Sequence, residues 1–141
     1  MKTGRYNVGV GLLTMAGFML YGFLLIYLRD FAPDKEAWVA SYSVGKHFAA
    51  RLAHVHGNLF ALLNLTLGFV LVRLAAASDR ARNAAAALGL AGLLMPAGIL
   101  GEVYLGLSPI FVLLGAVSMT ASVVFTGVLA LKHWGEGRIA A

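Results

Sequence analysis

Cysteine is absent from this 141-residue chain, which excludes both a disulfide framework and a thiolate metal site. Charge is scarce. Asp, Glu, Lys and Arg make up 12% of the residues, against about a quarter in a soluble domain. The 11 basic residues outnumber the 6 acidic ones, for a net charge of +5. They form no nucleic-acid patch, because they sit in short clusters at the ends of apolar runs, as in membrane proteins. Nucleotide-binding glycine loops, an HExxH pair and a Ser or Cys nucleophile motif are also missing. The 17 glycines are scattered, and so speak for close packing and not for phosphate cradles.

What is present is apolar. Hydrophobic residues make up 60% of the chain. They gather into runs at about 8–28, 48–74, 84–105 and 110–131, each near the ~20 residues a helix needs to cross the hydrocarbon layer. The runs are continuous and rich in Leu and Ala, unlike the short alternating strands of a membrane barrel. The expected fold is all-α: a single-domain, four-helix transmembrane bundle in a multi-pass protein of a bacterial inner membrane. Lys2 and Arg5 precede the first run, but it is too long for a signal-peptide core and no Ala-x-Ala-like site follows, so it reads as a retained helix.

Charge sets the expected orientation. Lys2, Arg5, Arg73, Arg80, Arg82, Lys132 and Arg138 flank one side of the threaded chain. Arg29, Lys35, Lys46 and Arg51 flank the other. The positive-inside rule then puts both termini in the cytoplasm. The short turn Gly106-Leu107-Ser108-Pro109 makes an antiparallel hairpin of helices three and four, with Pro109 in the first turn of the fourth. Pro96 should bend the third. Between helices one and two, Pro33-Asp34-Lys35-Glu36 resembles a helix start with Asp34 as N-cap. Trp38 and Tyr42 follow at helical spacing, so a surface helix and an irregular loop are both open readings.

The chemistry-bearing residues are His54, His56 and Asn58 in Ala53-His54-Val55-His56-Gly57-Asn58, with Arg51 before them, and Glu102 on helix three. Ionisable groups in a bilayer cost free energy and are usually kept to bind, conduct or react. Antiparallel threading brings the histidines and Glu102 to one depth, near the extracytoplasmic face, with Tyr21 and Tyr27 close to that level. At ~100° per residue His54 and His56 point to opposite sides of their helix. His47, Arg51, His54 and Asn58 form one stripe. Gly57, Ala61 and Gly68 with Asn64 form a neighbouring stripe of small residues suited to helix contact. His133, with Lys132 and Trp134, reads as an interfacial anchor. Gly115, Ser118 and Ser122 form a small-residue seam on helix four that would suit a homo-oligomer or a larger membrane complex.

Several chemistries fit these residues. His54, His56 and Glu102 can supply ligands for a transition metal such as copper or zinc. Arg51 and Lys46 would serve haem propionates if a histidine is the axial ligand. An imidazole and Glu102 can also pass protons in a small transporter or channel. In an accessory subunit the same polar groups would only cement helices. The segment Arg51-Leu52-Ala53-His54-Val55-His56-Gly57-Asn58-Leu59-Phe60 resembles the histidine-bearing helix of haem–copper oxidase and nitric-oxide-reductase catalytic subunits. That resemblance implies a haem ligated near the outer membrane face, with His56, the residue before Gly57, as axial ligand. It covers ten residues, and no other helix carries a histidine at the outer level. The leading expectation is a haem or metal site for redox chemistry or electron transfer.

Overall fold

A computed structural model describes residues 4–135. The described residues form six helices: α1 (Arg5–Asp30), α2 (Lys35–Ala40), α3 (Gly45–Arg73), α4 (Asp79–Gly92), α5 (Leu94–Leu105) and α6 (Ile110–His133). Helices α4 and α5 run on as one span, Asp79–Leu105. With α1, α3 and α6 this makes four helices long and apolar enough to cross a membrane. The all-α four-helix bundle read from the sequence is the fold observed.

Local chemistry explains the element ends. The third span starts at Asp79, earlier than the apolar run that marks it at residue 84. Ser78 caps it, its hydroxyl accepting from the Ala81 N–H at 3.3 Å, and Asp79 places a negative charge in the first turn. The span breaks at Leu93 because Pro96 has no N–H for the Gly92 carbonyl. It ends at Gly106, whose left-handed backbone (φ +66°) lets Gly106 N–H reach Glu102 O and Leu107 N–H reach Gly101 O. The chain then turns through Ser108 and Pro109 into α6. The linker after α1 is partly helical. α2 begins after Asp34, as its sequence indicates, but the Asp34 side chain makes no capping bond, and Tyr42 lies beyond the helix end.

Small residues position the spans. α1 rests along α3. A Cβ on Gly11 would stand 2.9 Å from Ala61 O, and one on Gly68 would stand 2.8 Å from Gly4 O, so the two backbones nearly touch. The Phe18 ring occupies the place a side chain on Gly57 would take. On the far side of α3, Phe60, Leu67 and Met119 form an apolar centre with Leu63, Leu93 and Met95. Lower in the bundle, Leu71, Ala85 and Ala86 pack with Phe125, and Leu74 and Ala77 with Leu129. The outer faces carry large apolar side chains such as Leu13, Leu20, Phe23 and Leu131. Exposed aliphatic surface of this extent is suited to lipid.

One polar knot sits inside this apolar frame. Asn7 and Asn64 are fully buried. Asn7 donates through Nδ2 to Asn64 Oδ1 and to the Ala86 carbonyl, both at 2.9 Å. Asn64 donates to Phe60 O and Gly89 O at 3.0 and 2.8 Å, and Ser122 donates to Ala85 O at 2.7 Å. Four helices are tied at one level. The seam expected to face other subunits is used internally at two of its positions. Ser122 bonds α4, and Gly115 lies so close to Leu94 and Met95 that a side chain there would meet the α5 backbone.

Candidate ligand-binding site

The polar stripe on α3 opens onto a cavity. His47, Arg51 and His54 recur at spacings of four and three, so their side chains leave α3 on one side. Opposite stands the second half of α1, whose Met19, Gly22, Phe23, Leu25 and Ile26 form an apolar wall. Arg29 from the end of α1 and Tyr42 from the segment after α2 complete the lining. It is an open-sided cavity of about 470 Å³, within the ~300–1,000 Å³ range of small-molecule and cofactor sites.

Each polar side chain of the lining has an assigned position. The Arg51 guanidinium lies over the Tyr42 ring at 3.6 Å and donates to Tyr42 O at 3.1 Å. A cation over an aromatic face is worth about 0.5–2 kcal/mol, which fixes the arginine without cancelling its charge. Arg29 pairs with its neighbour Asp30 at 2.7 Å, both solvent-exposed. No Asp or Glu lines the cavity, so the Arg51 charge has no carboxylate there, whereas that of Arg29 is compensated by Asp30 just outside the lining. His47 is buried, stacked on Trp38 at 4.3 Å between ring centres and edge-on to Tyr42 at 5.3 Å. Its Nδ1–H donates to the Trp38 carbonyl at 2.6 Å. The Trp38 Nε1–H is buried without an acceptor.

His54 is half-buried and packs against α1. Its Nε2 lies 2.7 Å from where a Cβ on Gly22 would stand, so a side chain there would displace the imidazole. Its ring is also 6.3 Å from that of Tyr21, whose hydroxyl meets the Tyr104 hydroxyl at 3.1 Å.

The other expected site residues lie apart from this cavity. His56 leaves the opposite side of α3, as its spacing from His54 requires. It packs edge-on to Phe60 at 6.2 Å and donates through Nδ1 to Leu52 O at 2.9 Å. Asn58, two residues on, turns back on its own helix and donates to His54 O at 2.9 Å. Glu102 is exposed on α5 and does not line the cavity. Among the described residues no three His, Asp or Glu side chains gather as a metal-binding group, so His54, His56 and Glu102 do not form one. Lys46 and Tyr27 are likewise outside the lining.

Sequence reasoning singled out Arg51 and His54 but gave His47, Tyr42 and Arg29 no role in the site. The signal for His47 was the i, i+4 and i+7 spacing with Arg51 and His54. For Tyr42 and Arg29 it was only their nearness to the same end of the bundle. Comparison with protein-family models, curated proteins and solved structures gave no match.

Proposed function

We propose that this protein holds an anionic, largely apolar redox cofactor in the α1–α3 cavity, haem being the group its residues fit best. The observation that carries this reading is the pairing of two guanidiniums, Arg29 and Arg51, with an apolar wall and two imidazoles around a single volume. Guanidiniums match carboxylates in charge and fork geometry, so Arg51 is suited to one propionate, while Arg29, whose fork holds Asp30, would offer a second its remaining N–H donors. Met19, Phe23, Leu25 and Ile26 would cover a macrocycle, and an α3 imidazole would reach the iron. When bound, haem would supply one-electron chemistry. The chain's part is to bind it, neutralise its carboxylates and keep water from one face. The cavity lies on the connecting side that the positive-inside rule assigns to the extracytoplasmic face, with both termini in the cytoplasm.

The test is a haem titration of the purified protein in mild detergent, followed by visible absorption. A Soret band that shifts and saturates near one equivalent is the expected result. Arg51→Ala should weaken binding roughly ten- to a hundredfold, as losing a charge-assisted hydrogen bond of about 1.5–3 kcal/mol implies. No saturable shift in the wild-type protein would remove the haem reading.

A further inference from the structure

The outer half of α1 forms one wall of the cavity. Of the four spans α1 is the least buried, and it packs on α3 but hardly at all on α5. Its close contacts with α3 end early in this half. Phe18 fills the notch at Gly57, and one turn on Gly22 lies against the His54 ring. Phe23, Leu25, Ile26 and Arg29 then line the cavity. The far end of the wall is held through α2, where Trp38 stacks on His47 at 4.3 Å. At its near end one polar bond reaches past α3 to a third helix: the Tyr21 hydroxyl meets the Tyr104 hydroxyl of α5 at 3.1 Å. The Tyr21 ring stands edge-on to Phe18 and 6.3 Å from the His54 ring, where the packed part of α1 gives way to the wall. Gly22 follows it directly, and a glycine inside a helix leaves the backbone easier to bend.

We propose that the Tyr21–Tyr104 hydroxyl pair is a latch on the cavity. Made, it holds the outer half of α1 closed against α3. Broken, it lets that half swing away and exposes the site. A hydroxyl pair suits this role. Lipid tails offer a freed hydroxyl no new partner, so the bond re-forms. A single hydrogen bond between membrane helices is nonetheless modest, so thermal motion also breaks it. Tyr21 is half-buried and Tyr104 is exposed, so the two can part without entering the apolar centre at Phe60, Leu67 and Met119. α5 packs on both α3 and α6 by itself, so parting moves α1 alone. The latch concerns access to the cavity, and so goes beyond the haem reading and applies to any occupant.

The experiment measures the spacing of α1 and α3 in lipid nanodiscs by double electron–electron resonance. The chain has no cysteine, so spin labels attach only at an introduced pair, Leu24→Cys on α1 and Val55→Cys on α3, both exposed positions. Tyr21→Phe, Tyr104→Phe and the double variant are compared with the labelled protein that keeps both hydroxyls. Phenylalanine retains the ring, and circular dichroism checks helix content. Either single variant removes the same bond from a different helix, so a folding failure of one leaves the other to decide. The expected result is a second, longer distance whose ratio to the first rises roughly three- to tenfold in each single variant. The double variant should go no further than either one, because only one bond is lost. An unchanged distance distribution in a folded single variant, or effects of the two that add, would overturn the latch. Where haem is loaded, its release should quicken by a similar factor in both variants, and release at the wild-type rate would overturn the control of access. A wild-type protein that binds no haem would overturn the haem reading and leave the distance result standing.

Discussion

At the scale of single residues, the buried amides and the cavity imidazoles do different jobs. Asn7 and Asn64 spend nearly all their hydrogen-bonding capacity on one another and on backbone carbonyls of α3 and α4. Only Asn7 Oδ1 is left without a partner. Inside an apolar bundle such bonds stabilise modestly, about 0.6–1.7 kcal/mol each, because the unfolded chain in a membrane also finds partners. Asn64→Leu keeps the branched shape but removes the bond to Asn7 Nδ2 and strands the Gly89 carbonyl. We expect it to cost about 1–3 kcal/mol in reversible unfolding in mixed micelles, without change in haem affinity. An equal loss of haem binding would mean that the knot and the cavity are coupled. In the sequence, Asn64 was visible as the polar member of a small-residue stripe. Its partner Asn7, near the chain start and 57 residues away, carried no periodic signal that would connect the two.

At the scale of elements, backbone proximity sets which glycines are indispensable. Gly115 faces the start of α5 so closely that any Cβ meets Met95 and Leu94 main-chain atoms, which cannot rotate away. Gly127, three turns on, has nothing within 4 Å of the same construction. Gly115→Ala should therefore destabilise the bundle by about 1–3 kcal/mol, as overpacking of a close contact does. Gly127→Ala should be neutral or gain up to about 1 kcal/mol from improved helix propensity. Thermal melts of the two variants side by side check the contrast; matching midpoints would refute the close packing of α5 on α6. The spans themselves were legible because twenty-residue apolar runs have few alternatives in water-soluble proteins. The break at Leu93 was legible in outline from Pro96. The position of α2 against α3 was not. It depends on Trp38 stacking on His47, a contact between a short helix and a distant stripe that hydrophobic pattern does not encode.

At the scale of the whole molecule, four spans require that the α2–α3 link and the α5–α6 turn lie on one side and the α3–α4 link on the other. The absence of cysteine makes this easy to test. Single substitutions Ser43→Cys and Ser108→Cys should react with a membrane-impermeant maleimide added outside intact cells. Ser78→Cys should react only after the membrane is permeabilised. The reverse pattern would invert the positive-inside orientation, and reaction of all three from outside would contradict the four-span threading. The cavity could not be drawn from sequence. Antiparallel threading levels the end of α1, the start of α3 and the end of α5, yet level is not contact. Glu102 sits on the exposed side of α5, while Arg29, placed by the length of α1, reaches the cavity.

The joint between α1 and α3 is uneven along its length. Toward the start of α1 the backbones are nearly in touch at Gly4, Gly11 and Gly68, and Asn7 pins them. Toward its end they are held apart by the imidazoles and by an aliphatic lining. The pair thus has the shape of a clothes-peg, sprung shut at one tip and ajar at the other. Its outer limb is the least buried of the four spans, in contact chiefly with α3. Flexing that limb a little would widen the gap sideways, toward the acyl chains. If the cavity holds the cofactor proposed above, that side would let it enter from the bilayer without crossing the aqueous boundary.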